Sequence, residues 1–248
     1  MIGVFDSGSG GLSVLKALRA CAPNANVVYF GDIAHAPYGV RSSEELAHLT
    51  EAGVRVLKDS GATEIVSACN SVSPSFLAGT AGDMPVIEMT KPTALGMQAY
   101  KGERVLLIAT PATVNSRIYE HALADIVKLE SLAIPELAGA IEFGAPDSEV
   151  RAIVHTALER RKGKEYGYVL LGCTHYPLAL PIVEREAKNI FPNIQCIDPA
   201  YFVAEEVTKS FDYNGRGNLL FKISKDSKPF RVRVYELFSE DEYTIEVI

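Results

Sequence analysis

Three observations predict an α/β protein built from two similar, doubly wound parallel-sheet halves. Short apolar, β-branched runs alternate with amphipathic helical stretches along most of the chain. One strand-end pattern occurs twice, and the length of 248 residues with 48% hydrophobic content lies near the size at which one core divides into two. Parallel strands are buried on both faces and so read as continuous apolar runs, joined by crossover helices.

The strand-like runs fall at residues 2–5, 26–30, 64–68, 86–89, 105–109, 129–133, 168–171 and 195–197. Between them, stretches 12–20, 43–57, 112–126, 148–160 and 178–187 carry the i, i+3, i+4 apolar spacing of helices packed on one face. From Asn214 the pattern changes to a strand, a helix near 230–238 and a last strand at 243–248, a tail placed to return and cover the first half. The expected division is therefore 1–94 with 207–248 as one domain and 95–206 as the second. The repeat consists of Glu64-Ile65-Val66-Ser67-Ala68-Cys69-Asn70 and Tyr168-Val169-Leu170-Leu171-Gly172-Cys173-Thr174. Open α/β sheets bind ligands at the carboxyl ends of their strands. Two flavodoxin-like halves related by pseudo-symmetry would each present one thiol to a shared cleft.

The charge balance, 24 Lys and Arg against 31 Asp and Glu for a net −7, repels phosphate backbones and argues against nucleic acid as a partner. The basic cluster Arg160-Arg161-Lys162-Gly163-Lys164 lies between a helix and a strand and reads as a solvated helix end. No apolar run is long enough to span a bilayer, and Met1-Ile2-Gly3-Val4-Phe5 lacks the basic-then-apolar character of a secretion signal, so no membrane partner and a cytoplasmic location are expected. The four cysteines, 21, 69, 173 and 196, show no CxxC spacing, and a cytosolic pool keeps such thiols reduced. Cys21 on a helical apolar face and Cys196 inside a strand read as packing residues.

Cys69 stands at a strand end, followed by Asn70 and Ser71, which can cap a helix. Backbone N–H groups at that helix start would lower the thiol pKa toward neutrality and bind a carboxylate. A buried, inert cysteine is the alternative. Cys173 repeats the setting, with Thr174 and His175 beyond it and Pro177 at the first turn of a helix. A histidine two residues on can orient or protonate a thiol. A zinc site at Cys173 and His175 would need two further ligands, which Cys69 and another histidine could supply, although no CxxC or HxxxH pair supports it. A nucleophilic cysteine with His175 as its base would leave the other thiol without a role.

Asp6-Ser7-Gly8-Ser9-Gly10-Gly11 follows the first strand, but its glycines do not form GxGxxG and no Gly-Lys-Ser/Thr phosphate loop is present. A tight turn close to a small ligand fits better. Asp6 can assist a base, hold an ammonium group or cap the helix. Gly31-Asp32 and Pro37-Tyr38-Gly39 bring a rigid turn to the same edge, and Thr110-Pro111-Ala112-Thr113 brings two hydroxyls in the second half.

Taken in order, Val4-Phe5-Asp6-Ser7-Gly8, Tyr29-Phe30-Gly31-Asp32, Pro37-Tyr38-Gly39, Ala68-Cys69-Asn70, Ala109-Thr110 and Leu171-Gly172-Cys173-Thr174-His175-Tyr176-Pro177 resemble the glutamate racemase family, within the aspartate and glutamate racemase superfamily. The resemblance runs nearly end to end. It implies a racemase that uses no cofactor, neither pyridoxal phosphate nor a metal, and takes glutamate as its small-molecule substrate. It further implies that Cys69 takes the α-proton of the D-form and Cys173 that of the L-form. Asp6 would assist Cys69, and His175 with Glu142 nearby would assist Cys173. Substrate contacts would come from Ser7, Pro37, Tyr38, Gly39, Asn70, Ser71, Thr113 and Thr174. The family also implies a homodimer that feeds D-glutamate into cell-wall synthesis. Other superfamily activities, such as aspartate racemization or isomerization of another diacid, remain alternatives, as does a two-lobed binding protein that does not turn its ligand over. Two departures stand out: Ser71-Val72 where the family usually has Thr-Ala, and Met89-Thr90-Lys91-Pro92 where it is more apolar and often ends Glu-Pro.

Overall fold

The apolar runs form parallel strands, and their order sets where the thiols lie. The computed structural model describes all 248 residues. The first half runs β1 (Ile2–Asp6), α1 (Leu12–Cys21), β2 (Val27–Gly31), α2 (Ser43–Asp59), β3 (Glu64–Ser67), α3 (Ser73–Leu77), β4 (Val86–Ile87) and α4 (Thr90–Gly96). The second runs β5 (Arg104–Ala109), α5 (Pro111–Ser116), α6 (Ile118–Leu123), β6 (Lys128–Ala133), α7 (Leu137–Glu142), α8 (Asp147–Glu159), β7 (Tyr168–Gly172), α9 (Leu180–Ile190) and β8 (Gln195–Ile197). Then follow α10 (Ala200–Ser210), β9 (Leu219–Ile223), α11 (Lys228–Phe238) and β10 (Tyr243–Val247).

Two sheets result, with strand orders β10-β9-β2-β1-β3-β4 and β6-β5-β7-β8. Every pairing is parallel. Strand residues alternate between faces, and in β5 this places Leu106 and Ile108 in one core, Val105, Leu107 and Ala109 in another. Helices on both faces are what make these apolar strands non-amphipathic. Register aligns Asp6 with Gly31 and Phe5 with Ser67 in one sheet, and Ala109 with Gly172 in the other. The strand ends that precede Cys69 and Cys173 therefore belong to two aligned edges.

The tail completes the first sheet. β9 pairs with β2, and Phe221, Ile223, Phe230, Val234 and Phe238 join the core of Val4, Leu15 and Tyr29. Ala200, Val203, Ala204 and Val207 of α10 belong to that same core. The division expected from sequence cuts α4 and α10 internally. Phe202 of α10 packs against the second half's core, so this helix touches both.

Three other expectations change. Cys21, expected to pack on an apolar helix face, is exposed at the end of α1. The helix expected over 112–126 is interrupted at Arg117, whose φ of 55° is left-handed and breaks the hydrogen-bond ladder between α5 and α6. The helix expected from 178 begins at Leu180 after a short 3₁₀ turn over Tyr176–Ala179, with Pro181 in its first turn. No helix is long and apolar enough to cross a membrane.

At Gly53 of α2 the helix lies close on the sheet, since a Cβ there would lie 2.1 Å from Phe5 Cε2 and 2.8 Å from Phe30 Cε1. Ala is the better helix former by about 1 kcal/mol, but overpacking costs about 1–3 kcal/mol or more. Gly53→Ala is therefore expected to lower the urea midpoint, and a raised midpoint would contradict this packing.

Candidate active site

β1 ends at Asp6 and β3 at Ser67, so the chain turns there into Ser7 and Cys69 on a common edge. β7 ends at Gly172 and delivers Cys173, Thr174 and His175 from the other sheet. The two edges meet around one tight cavity of about 10 Å³, room for roughly one water, lined by both thiols. Its first-half wall includes Ser7, Pro37, Tyr38, Gly39, Asn70 and Ser71, and its second-half wall Thr110, Ala138, Thr174 and His175. Both cysteines are only 5% exposed, so the site is shut off from solvent. Larger grooves elsewhere on the surface contain neither thiol.

On the first side the Cys69 thiol lies 3.8 Å from Ser7 Oγ. Burial, reinforced by the negative charge of Asp6, pushes that thiol up to about 12. This corrects the expectation of a lowered pKa. The helical turn after Cys69 is a three-residue 3₁₀ segment, Asn70–Val72, with α3 beginning only at Ser73, so its dipole is outweighed by desolvation. Burial also raises the Asp6 carboxyl. Asp6 Oδ1 accepts from the Gly8 N–H at 2.8 Å and Oδ2 from the Thr174 hydroxyl at 3.3 Å, a contact between the halves.

On the second side Cys173 Sγ lies 3.9 Å from His175 Nδ1, and His175 Nε2 lies 2.6 Å from Glu142 Oε2. Burial disfavours the charged imidazole, but hydrogen bonds to Cys173 and Glu142 raise His175 well above its ordinary 6.5. Burial likewise opposes ionization of Glu142, yet the hydrogen bond from His175 and those from Ser9 hold it down at about 2. Both ring nitrogens are thus engaged, and no group of three or more His, Cys, Asp or Glu is arranged to hold a metal.

The pair's pH dependence has a definite sign. Depressed from 4.5 to about 2, Glu142 stabilizes the fold above about pH 4.5 and loses that contribution as pH falls toward 2. Raised above 6.5, His175 stabilizes it below about pH 6.5 and loses the effect as pH climbs through its folded value. Glu142→Gln should cost about 1–3 kcal/mol near pH 6, and the deficit should shrink by pH 3. Urea unfolding at both pH values checks this.

The glycines of the first turn have a role the sequence did not suggest. A Cβ at Gly10 would lie 2.4 Å from His175 Nδ1, and one at Gly8 would lie 2.8 Å from the Glu142 carboxylate. They admit the opposing half's side chains. Thr113 stands one layer behind Thr110, which donates to its hydroxyl at 3.1 Å, while Ser71 and Thr110 hydroxyls meet at 3.0 Å across the cleft. Val72, the bulkier departure, is absorbed in the core with Phe5 and Tyr38. The Met89-Thr90-Lys91-Pro92 segment starts α4, where the buried Glu88 carboxylate accepts from the Thr90 and Lys91 N–H groups. Sequence reading missed Ser9, Tyr119 and Arg233. The Tyr119 hydroxyl donates to Asn70 Oδ1 at 2.5 Å, while Asn70 Nδ2 is buried without a partner.

Two thiols facing one closed cavity, each backed by a different proton-handling group, can deliver acid and base from opposite sides of a small molecule. The chain belongs to the Asp/Glu/Hydantoin racemase family, whose sequence pattern matches residues 7–207, and it is accordingly a racemase, an isomerase. Among its relatives, the glutamate racemase of Aquifex aeolicus (strain VF5) is 36% identical over 225 residues, covering 88% of this chain and 86% of the relative. The structure of a glutamate racemase isoform from Bacillus anthracis superposes with a TM-score of 0.87 at 28% identity, covering 100% of this chain and 97% of that one. A Francisella tularensis glutamate racemase in complex with D-glutamate gives 0.84 at 27% identity, covering 100% and 96%.

Proposed function

We propose that the protein interconverts L- and D-glutamate without a cofactor, using Cys69 and Cys173 as opposed acid and base. The observation that carries this reading is that the two thiols come from different sheets and line one cavity. Removing a weakly acidic α-proton and returning one to the opposite face requires a base and an acid on opposite sides, which a single group could supply only by migrating around the carbon. One thiol is ionized while the other is protonated, and the reverse reaction exchanges their states.

Each thiol has its own assistant. Asp6 stands on the Cys69 side, and the Glu142-held His175 on the Cys173 side. With its pKa pushed up to about 12 in the closed site, Cys69 carries its proton before substrate enters. A substrate ammonium beside it supplies the opposite charge that favours the thiolate. The carbanion adds negative charge next to the carboxylates, so fixed donors are needed. Ser7, Ser71, Thr110 and Thr174 provide hydroxyls, and the unpaired Asn70 Nδ2 is an amide donor awaiting an acceptor. Because the walls are buried, the halves must part for entry and close for chemistry, excluding water.

The relatives named as glutamate racemases support glutamate as the substrate. Supplying D-glutamate to cell-wall synthesis, as a cytoplasmic homodimer, completes the proposal. A circular-dichroism assay over a panel of L-amino acids tests it. Loss of optical rotation with L-glutamate, faster than with L-aspartate, is expected. Turnover of L-aspartate alone would overturn the assignment.

A further inference from the structure

We propose that Arg233, on the C-terminal helix α11, is a positioning residue that fixes the Glu142–His175 pair behind Cys173. This rests on the proton-transfer reading above. The Arg233 Nη1 group donates to Ser9 Oγ at 2.8 Å and to the Glu142 main-chain carbonyl at 3.0 Å, and Nη2 donates to the Ile141 carbonyl. Ser9 Oγ donates in turn to Glu142 Oε2 at 2.6 Å, and the Ser9 N–H reaches the same oxygen at 2.9 Å.

The direction of this chain follows from the donor inventory. A guanidinium only donates, so Ser9 Oγ accepts from Arg233 and its single hydrogen is free to point at Glu142. The same fork covers the last carbonyls of α7, the helix that ends at Glu142. One side chain thus holds both the backbone and, through Ser9, the carboxylate of Glu142. The other carboxylate oxygen, Oε1, is buried without a partner, so a nearby cation matters to its ionization. Lysine, a single point charge, cannot span these three acceptors as a planar fork does. The link also ties the tail, which completes the first sheet, to a site residue of the second.

Several charges bear on the pair. Glu142 faces His175, Asp6 and Tyr29, with Cys173 beyond the imidazole. Arg233 faces Glu142 and Glu236, and Lys16 and Asp198 line the groove beside it. Removing the Arg233 cation leaves Glu142 easier to protonate. The acid limb of the rate profile should then move to higher pH.

The test compares wild type, Arg233→Met and Arg233→Lys by carboxyl NMR titration and by pH–rate profiles of glutamate turnover. Arg233→Met is expected to raise the Glu142 titration point, shift the acid limb the same way and lower kcat about 10-fold, the scale of one lost charged hydrogen bond. Arg233→Lys should recover part of each. In a double-mutant cycle with Glu142→Gln, the two losses should overlap rather than multiply. An unmoved Glu142 titration in Arg233→Met, or losses that multiply, would overturn the proposal. If Arg233→Met does not fold, the same cycle run with Arg233→Lys decides by the same criterion. Wild-type turnover in the same assay tests the function itself, which keeps a failure of that reading distinct from a failure of this one.

Discussion

Cys69→Ala and Cys173→Ala are each expected to abolish racemization while leaving the fold intact. A positioned acid or base contributes roughly 10²–10⁴-fold, and removing either thiol also leaves one face of the α-carbon with no proton donor or acceptor. The loss should therefore reach at least about 10³-fold in either direction of reaction. Both thiols sit in short strand-end turns, and truncation to Ala removes only one sulfur from each wall of the cavity. Unchanged far-ultraviolet circular dichroism should accompany the loss. Near-full activity in either variant would end the two-base mechanism.

Gly10→Ala is the second large effect. Its added methyl would sit 2.4 Å from His175 Nδ1 and 2.7 Å from Thr174 Oγ1, so either the imidazole or the closure of the halves must give way. Displacing a catalytic group by about 1 Å can cost about 10²-fold, and kcat/KM should fall by at least that. Gly10 precedes α1 and the atoms nearest its added methyl belong to the opposing half, so thermal stability should fall far less than activity. A variant with wild-type kcat/KM would show that the close approach of the two halves at this turn is not part of the working geometry.

The strands and thiols were legible because two-sided burial writes a continuous apolar run, and because a cysteine after a small residue at a strand end is a local pattern. Val105 to Ala109 shows this most clearly, with every residue buried and alternate side chains in different cores. What was not legible came from contacts far apart in sequence. Gly8 and Gly10 read as a turn near a ligand, and nothing local indicated that Glu142 and His175 would occupy the space they leave. Arg233 lies in a tail helix whose sequence looks like an ordinary charged face, yet it reaches Ser9 and the end of α7. The raised Cys69 pKa is not legible locally because a turn signals donors, whereas burial depends on the whole fold. The break at Arg117 was hidden inside a helical apolar spacing that continues across it.

A proton taken from one face and another delivered to the opposite face leaves an isotopic record, read by running the reaction in deuterated water and following the α-position of each enantiomer by NMR. D-glutamate newly formed from L-glutamate is expected to carry solvent deuterium, while the remaining L-glutamate at early times keeps its proton. Product that forms with its original α-proton would contradict the two-base mechanism.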